Sequence, residues 1–569
     1  MNPPRETPWQ PMRLRVPRAD GSLLAHPPSE EAIAAARANS QSLSHAEIDV
    51  QGRTLVRLRR EARAAALAAA RRYTAELTGE RPPAPGPEAP LFVDGHQPSL
   101  FHPGVWVKNF AIAALAAQAH GTALHIVVDN DVLTTTRIRV PAGNRDAPEF
   151  DREPFDADRP RIPWEEARVL DPEVFASFGE RIAARMAKWG VVPLAARVWP
   201  EAIRAVEATR TLRASGSLAS AEHTGSLRDA FTAARHRIEV DWGARNFELP
   251  LSRLCELDPF LWFASHLLVR AEEFRAIHNE VLDEFRRVNR VRSRTHPVPA
   301  LKAHDGWIET PFRVWRTGAP VRRNVFVQQR AGVLALSDGS DTFAELPIAP
   351  GRDACCAVEI LRKLPAQGIR FRTRALTTTL FARLFLADLF VHGTGGAKYD
   401  EMTDRIIGRF FGIEPPAFQT LSATLHLPLA EPFDVAPEDA SRLETLLREL
   451  EFNPDRHLPP HAPAEARALA AEKRQLIAEQ RAARGERAPR SVRRSRSRAN
   501  HARYRRFREI DQALRPFVAG QRRQIENDLA ELRRQLAANI VLRDRDASFA
   551  LYPEDKLRRF LTGLASQPG

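Results

Sequence analysis

Three short polar stretches hold the residues best suited to chemistry. The first, Asp94-Gly95-His96-Gln97-Pro98, follows the apolar run Leu91–Val93. A polar loop that leaves a strand and opens a helix offers free backbone N–H groups, and that end attracts phosphate or carboxylate. Gly95 lets a ligand approach the backbone, while His96, Gln97 and the nearby His102 supply hydrogen-bonding groups. The second stretch, Asp129-Asn130-Asp131, ends the apolar run Leu124–Val128. Two carboxylates one residue apart on an extended chain point to one side. Such a pair suits an oxygen-ligated Mg²⁺, an amine or a proton transfer. The third runs from His392 to Asp400 and carries Gly393, Gly395, Gly396, Lys398 and Tyr399. Its glycines allow N–H groups to cradle an anion, Lys398 adds a point charge, and Tyr399 adds a ring with a hydroxyl. Each stretch also fits a plain turn. Their equivalent placement after strand-like runs is what joins them.

The elements that must position these residues follow from periodicity. Leu91 to Asp131 reads strand, loop, Ala-rich helix, strand, which is one βαβ unit with polar residues at both strand ends. Open α/β sheets bind ligands in the crevice at that end. Leu389–Val391 supplies another strand before the third stretch, with the next helix expected near Asp400. The predicted fold is α/β: a Rossmann-like parallel-sheet core with a helical insertion and a C-terminal antiparallel coiled-coil hairpin. Its expected parts begin with an N-terminal helical region over 1–79, the first half of the core over 80–140 and the helical insertion over 141–300. There follow β-hairpins and the second half of the core over 301–460, the coiled-coil hairpin over 461–545, and a segment packing back on the core over 546–569. Residues 141–163 read as a long loop, and Thr317-Gly318 and Ala331-Gly332 as hairpin turns. In the coiled coil, Ile525, Leu529, Leu532, Leu536 and Ile540 recur at helical spacing.

Composition bounds the function. No apolar run in the 569 residues approaches a membrane span, and the N-terminus has no apolar signal core, so a cytoplasmic location is expected. The net charge is +13, and arginine supplies all but seven of the 84 basic side chains. That reads as compositional bias, and it makes Lys108 and Lys398 stand out. Arg487–Arg498 is the candidate for RNA, although no aromatic residue interleaves with it before Tyr504. Cys255, Cys355 and Cys356 are too few for a disulfide framework or a Cys-rich zinc site, and the adjacent pair reads as buried small hydrophobes. No metal site is assigned. Neither the phosphate-loop pattern nor GxGxxG follows a strand.

The order of these motifs resembles that of the bacillithiol-biosynthesis cysteine-adding enzymes. Gly95, Gln97, Leu100 and Phe101 correspond to that family's opening loop, and Asp129 and Asp131 to its acidic cluster. Gly393–Tyr399 corresponds to its glycine-rich loop, and Ser422-Ala423-Thr424 to its Ser-x-Thr strand. A coiled coil and a terminal segment like Leu542–Leu561 complete the likeness. His96, Pro98 and Lys398 are this chain's own departures from the pattern. The resemblance implies a ligase-like enzyme that joins a small amino compound, cysteine among the candidates, to an amino-sugar or acidic acceptor; the coiled coil itself is the expected contact of a homodimer. From the residues themselves, His96, Asp129 and Asp131 are the candidate catalytic groups, and Gly95, Gln97, Lys108, Gly395, Gly396, Lys398 and Tyr399 the candidate substrate-binding ones. The alternatives are a nucleotidylyltransferase-like enzyme using ATP and Mg²⁺, and a non-enzymatic RNA-binding or scaffolding protein.

Overall fold

The apolar runs that precede the polar stretches become neighbouring parallel strands. The computed structural model describes residues 9, 11–86, 88–214, 225–293, 295–483 and 490–563; the side chains of 209–214, 483 and 490–499 lie outside what is described. It is a mixed α/β protein built on a largely parallel sheet. In chain order the six strands are β1 (Ser22–His26), β2 (Leu91–His96), β3 (Thr122–Val127), β4 (Phe247–Pro250), β5 (Leu389–His392) and β6 (Phe418–Thr424). In space they run β1-β6-β5-β2-β3-β4. All pairs are parallel except β1 with β6. The chain therefore builds outward from β2 through β3 to β4, then returns to lay β5 against the other flank of β2. Val391 pairs with Asp94, so the polar ends of β2 and β5 lie side by side.

Helix α1 (Leu55–Thr78) starts on an N-cap in which Thr54 accepts from the N–H of Arg57, and it stops at left-handed Gly79. Its Arg59 and Arg63 both reach Asp388, just before β5, at 2.7 and 2.8 Å. Asp388 also accepts from the N–H of Leu91 at 2.7 Å. One buried carboxylate thus ties α1 to the starts of two core strands. Helix α2 (Pro103–Gln118) makes the β2–β3 crossover. Its start is fixed by Gly104, where a Cβ would lie 2.2 Å from the carbonyl oxygen of Ala423 in β6. Near the C-terminus, the N–H of Phe549 donates to the carbonyl of Phe101 at 2.8 Å, and its ring packs on Trp106.

A second, antiparallel sheet lies in the same unit. Trp307–Arg316 pairs with Ala319–Arg330 and Ile369–Thr373, and the hairpin turns come at left-handed Gly318 and Gly332. Two expectations are corrected along this stretch. The region 141–300 is not wholly helical, because Phe247–Pro250 enters the core sheet as β4; four residues are too few to show a period. Pro148–Pro154, expected as loop, is also a strand.

The described chain divides into two compact units, the second comprising residues 141–150 and 429–544. That second unit contains α4 (Pro437–Phe452), α5 (Ala464–Ala483) and the 53-residue α6 (Arg490–Leu542). Ile510 and Leu514 of α6 pack with Ala466 and Ala470 of α5. Beside them, buried Lys473 is held by Asp455 and Asp511 at 2.6 Å each. Farther along, the partner of α6 is α4, through the ion pairs Arg522–Glu451 and Arg533–Glu444. Ile540, counted in the apolar stripe, is 73% exposed. The side chains of the basic stretch Arg487–Arg498 lie outside the described residues.

Candidate functional site

A cavity of about 500 Å³ opens at the C-terminal ends of the parallel strands, where β2 and β5 lie side by side. Brought together in it are Gly95, His96 and Gln97 from the end of β2, Asp131 from beyond β3, and Gly396 and Tyr399 from the segment after β5. These residues are separated by up to about 300 positions in sequence. A volume of this size suits a small-molecule ligand.

The strand-end loop of β2 is held from behind. Lys108 donates to the carbonyl of Gly95 at 3.0 Å and lies 3.7 Å from Asp94. His125 lies 2.7 Å from the other oxygen of Asp94. Burial opposes ionisation of Asp94, but His125 and Lys108 more than offset it and hold the carboxyl below its ordinary range. Lys108 therefore shapes the loop and does not line the cavity. His96 packs edge-on against Phe101, and burial pushes its imidazole down to about 3, so it is neutral at physiological pH.

The acidic stretch does not act as a pair. Residues 129–130 form a turn, so the alternation of an extended chain no longer applies. Asp129 is fully buried and accepts from the N–H of Ser252 at 2.8 Å, its hydroxyl at 2.5 Å and Arg228 at 2.8 Å. Asp131 points elsewhere, to Gln97 at 2.8 Å and Arg322 at 3.2 Å. The two carboxylates do not converge on a shared cation position. Asp129 secures the fold, and Asp131 borders the cavity.

The third stretch is also built differently from the loop expected. Helix α3 (Thr394–Ile406) begins six residues before Asp400, so the glycines form its cap and first turn. Gly396, Tyr399 and Asp400 lie on the face that lines the cavity. Gly395 and Lys398 are exposed and do not line it. Beneath this face, buried His392 places Nε2 2.9 Å from Asp400. Asp400 is also bound by Arg383 at 2.5 Å and by the Thr379 hydroxyl at 2.7 Å. Burial raises the Asp400 carboxyl, but Arg383 and His392 overcome it and keep it ionised.

Sequence reasoning missed the wall contributed by the antiparallel sheet. Arg313, Arg322 and Arg374 all line the cavity. Arg374 is paired with Glu309 at 2.5 Å, yet its buried Nε has no hydrogen-bond partner among the described residues. Arg313 bonds to the Asn324 side chain and makes no ion pair among the described residues. Burial, with Arg374 and Arg322 nearby, pushes its guanidinium down to about 10. An incompletely neutralised arginine cluster in a cavity favours an anionic ligand. His278, with its imidazole pushed down to about 4 by burial, adds a neutral ring to the same wall. With arginine so abundant, nothing in the sequence distinguished these three.

Other polar groups are accounted for by the fold. His236, Glu239 and Glu248 cluster as metal ligands would, but Arg235 already binds both glutamates at 2.7 Å. The expectation of a buried Cys355–Cys356 pair is corrected: both thiols are exposed, 3.7 Å apart, at the start of a helix. No described helix is long and apolar enough to cross a membrane. Compared with protein-family models and with curated proteins, the chain matches none.

Proposed function

We propose that this chain is a ligase-like enzyme that joins a small amino compound, cysteine being the first candidate, to an acidic or amino-sugar acceptor. The observation that carries this reading is the arginine wall, Arg313, Arg322 and Arg374, facing the ends of β2 and β5 across one cavity. Guanidinium groups bind carboxylates through directed, charge-assisted hydrogen bonds, so this wall suits the acidic acceptor. Gln97, Asp131 and Tyr399, which line the same cavity, then orient the amino compound. The strand order, reversing between β2 and β5, supports naming the core Rossmann-like, with the ligand at the point of reversal.

The nucleotidylyltransferase-like alternative with ATP and Mg²⁺ is less well served, since Asp129 is committed to Arg228 and Ser252. In the second unit, α5 and the first half of α6 are read as an antiparallel coiled-coil hairpin, and exposed Ile540 as a contact for a second copy. Light scattering of the intact chain tests the homodimer.

Thermal-shift measurements with cysteine, amino-sugar acids, ATP with Mg²⁺ and RNA test the functional reading, because a ligand of the folded state raises its stability by mass action. Stabilisation by an amino-sugar acid, and a condensation product with cysteine detected by mass spectrometry, is the expected result. Stabilisation by RNA alone overturns it.

A further inference from the structure

We propose that His392 is the proton acceptor of this cavity, with Asp400 as the residue that positions it. The role of the ring follows from which of its nitrogens is engaged. Nε2 of His392 is 2.9 Å from Asp400 Oδ2. Asp400 stays ionised beside Arg383 and accepts at that contact, so the neutral ring carries its proton on Nε2. Nδ1 is then a lone-pair acceptor, and it has no hydrogen-bond partner among the described residues. His392 lines the cavity.

Two features keep that nitrogen open. The first turn of α3 crosses directly over the ring, and a Cβ at position 396 would lie 3.0 Å from Nδ1. Glycine there leaves the lone pair uncovered. The Phe390 and Phe418 rings flank the imidazole at centroid distances of 4.4 and 5.0 Å and hold its plane. The charged groups acting on the ring come from three elements: Asp400 on α3, Arg383 on the helix before β5, and Lys108 on α2. Asp400 favours the imidazolium, whereas burial, Arg383 and Lys108 favour the neutral ring. A base that is neutral at rest and stabilised on protonation by a fixed carboxylate meets the requirement for general-base catalysis.

This role rests on the ligase-like reading. The lone pair of the neutral substrate amine forms a bond to the acyl carbon of a co-substrate activated as an acyl phosphate. The phosphate leaves with the electron pair of the broken C–O bond. The proton released from nitrogen passes to Nδ1, while Nε2–H stays on Asp400.

Two measurements on the full chain separate this inference from the reading beneath it. In the first, ¹⁵N-histidine spectra of wild type and His392→Gln, compared at neutral pH, identify the His392 signals. The expected state is the neutral Nε2–H tautomer, disturbed in Asp400→Asn. An Nδ1–H tautomer or a resident imidazolium overturns the proposal whether or not any substrate is found. In the second, condensation of cysteine with an amino-sugar acid supplied as its acyl phosphate is followed across pH. His392→Gln is expected to lower kcat by about 10²–10⁴-fold, the usual contribution of a general base, with KM little changed. It should also remove the acid limb of the kcat profile. Retained kcat with an unchanged profile overturns the proposal. Absence of product with wild type overturns the ligase-like reading instead, and the tautomer measurement still decides whether His392 presents a free acceptor.

Discussion

Gln97 donates from Nε2 to Oδ2 of Asp131 at 2.8 Å, tying the loop after β2 to the turn after β3. Both residues border two neighbouring cavities, of about 500 and 320 Å³, so this bond lies on the partition between them. Asp131 also neutralises part of the arginine wall through Arg322. The partition therefore sets how much positive charge the larger cavity offers.

Asp131→Asn should release Arg322 to the cavity. The pair is part-exposed, so its worth after screening is at most about 1 kcal/mol, or roughly a fivefold change in affinity. Citrate, used as an anionic probe in calorimetry at low salt, should bind up to that much more tightly. The gain should fade in high salt. Weaker citrate binding would show that Asp131 holds Arg322 in its binding position.

Arg313→Gln and Arg374→Gln should separate binding from stability. Arg374 neutralises Glu309, which is 2% exposed, so its loss leaves a buried charge unpaired at a cost of about 3–5 kcal/mol. Arg313 has no acidic partner to strand among the described residues. Its replacement should leave urea-unfolding stability nearly unchanged while weakening citrate binding by tenfold or more, as expected for losing about 1.5–3 kcal/mol of a charged hydrogen bond. Equal destabilisation by the two substitutions would contradict this division.

Asp388→Ala should loosen α1 from the sheet. It strands Arg59 and Arg63 and frees the N–H of Leu91, at a cost of about 3–5 kcal/mol. Chemical denaturation measures the loss, and hydrogen exchange should show faster exchange at Leu91. An effect no larger than that of an exposed Asp→Ala substitution would exclude the role given to Asp388.

Acid should destabilise the chain through its buried neutral histidines. Burial pushes His96 down to about 3, and His102, His266 and His278 down to about 4, against 6.5 for a free imidazole. Below pH 6.5 the unfolded chain binds protons that the folded chain refuses, so stability present at neutral pH is lost as pH falls from about 6.5 to about 4. Each such histidine contributes a slope of up to about 1.4 kcal/mol per pH unit. Glu165, raised to about 7 by burial against the pull of Arg372, acts in the opposite sense, its contribution fading as pH rises from 4.5 to 7. Comparing wild type with His278→Gln by urea unfolding at pH 7.5, 5.5 and 4.5 isolates one histidine. The variant should show the shallower acid slope, and parallel curves would refute the assignment.

How much could be read in advance depended on whether a residue's surroundings were local. Leu91–His96, Pro103–Gln118 and Thr122–Val127 were legible because a buried strand and an apolar helix write their periods into consecutive residues. β4 was not, because four residues carry no period. The helix start at Thr394 was hidden because glycines disfavour a helix in isolation, and only the close passage over His392 calls for one at 396. The thiols of Cys355 and Cys356 were misplaced because composition alone says nothing of which helix end faces water.

By itself, the sequence determined that a parallel αβ unit ends in Gly95, His96 and Gln97, and that a later strand ends in His392 beside a glycine-rich segment. Those are properties of neighbours along the chain. Tertiary structure alone decided that Asp129 braces Arg228 while Asp131 meets Gln97, that Lys398 faces solvent, and that Arg313, Arg322 and Arg374 close the cavity. The reason is electrostatic. A carboxylate or guanidinium takes its role from the charge that long-range packing sets beside it, and no local pattern records that partner.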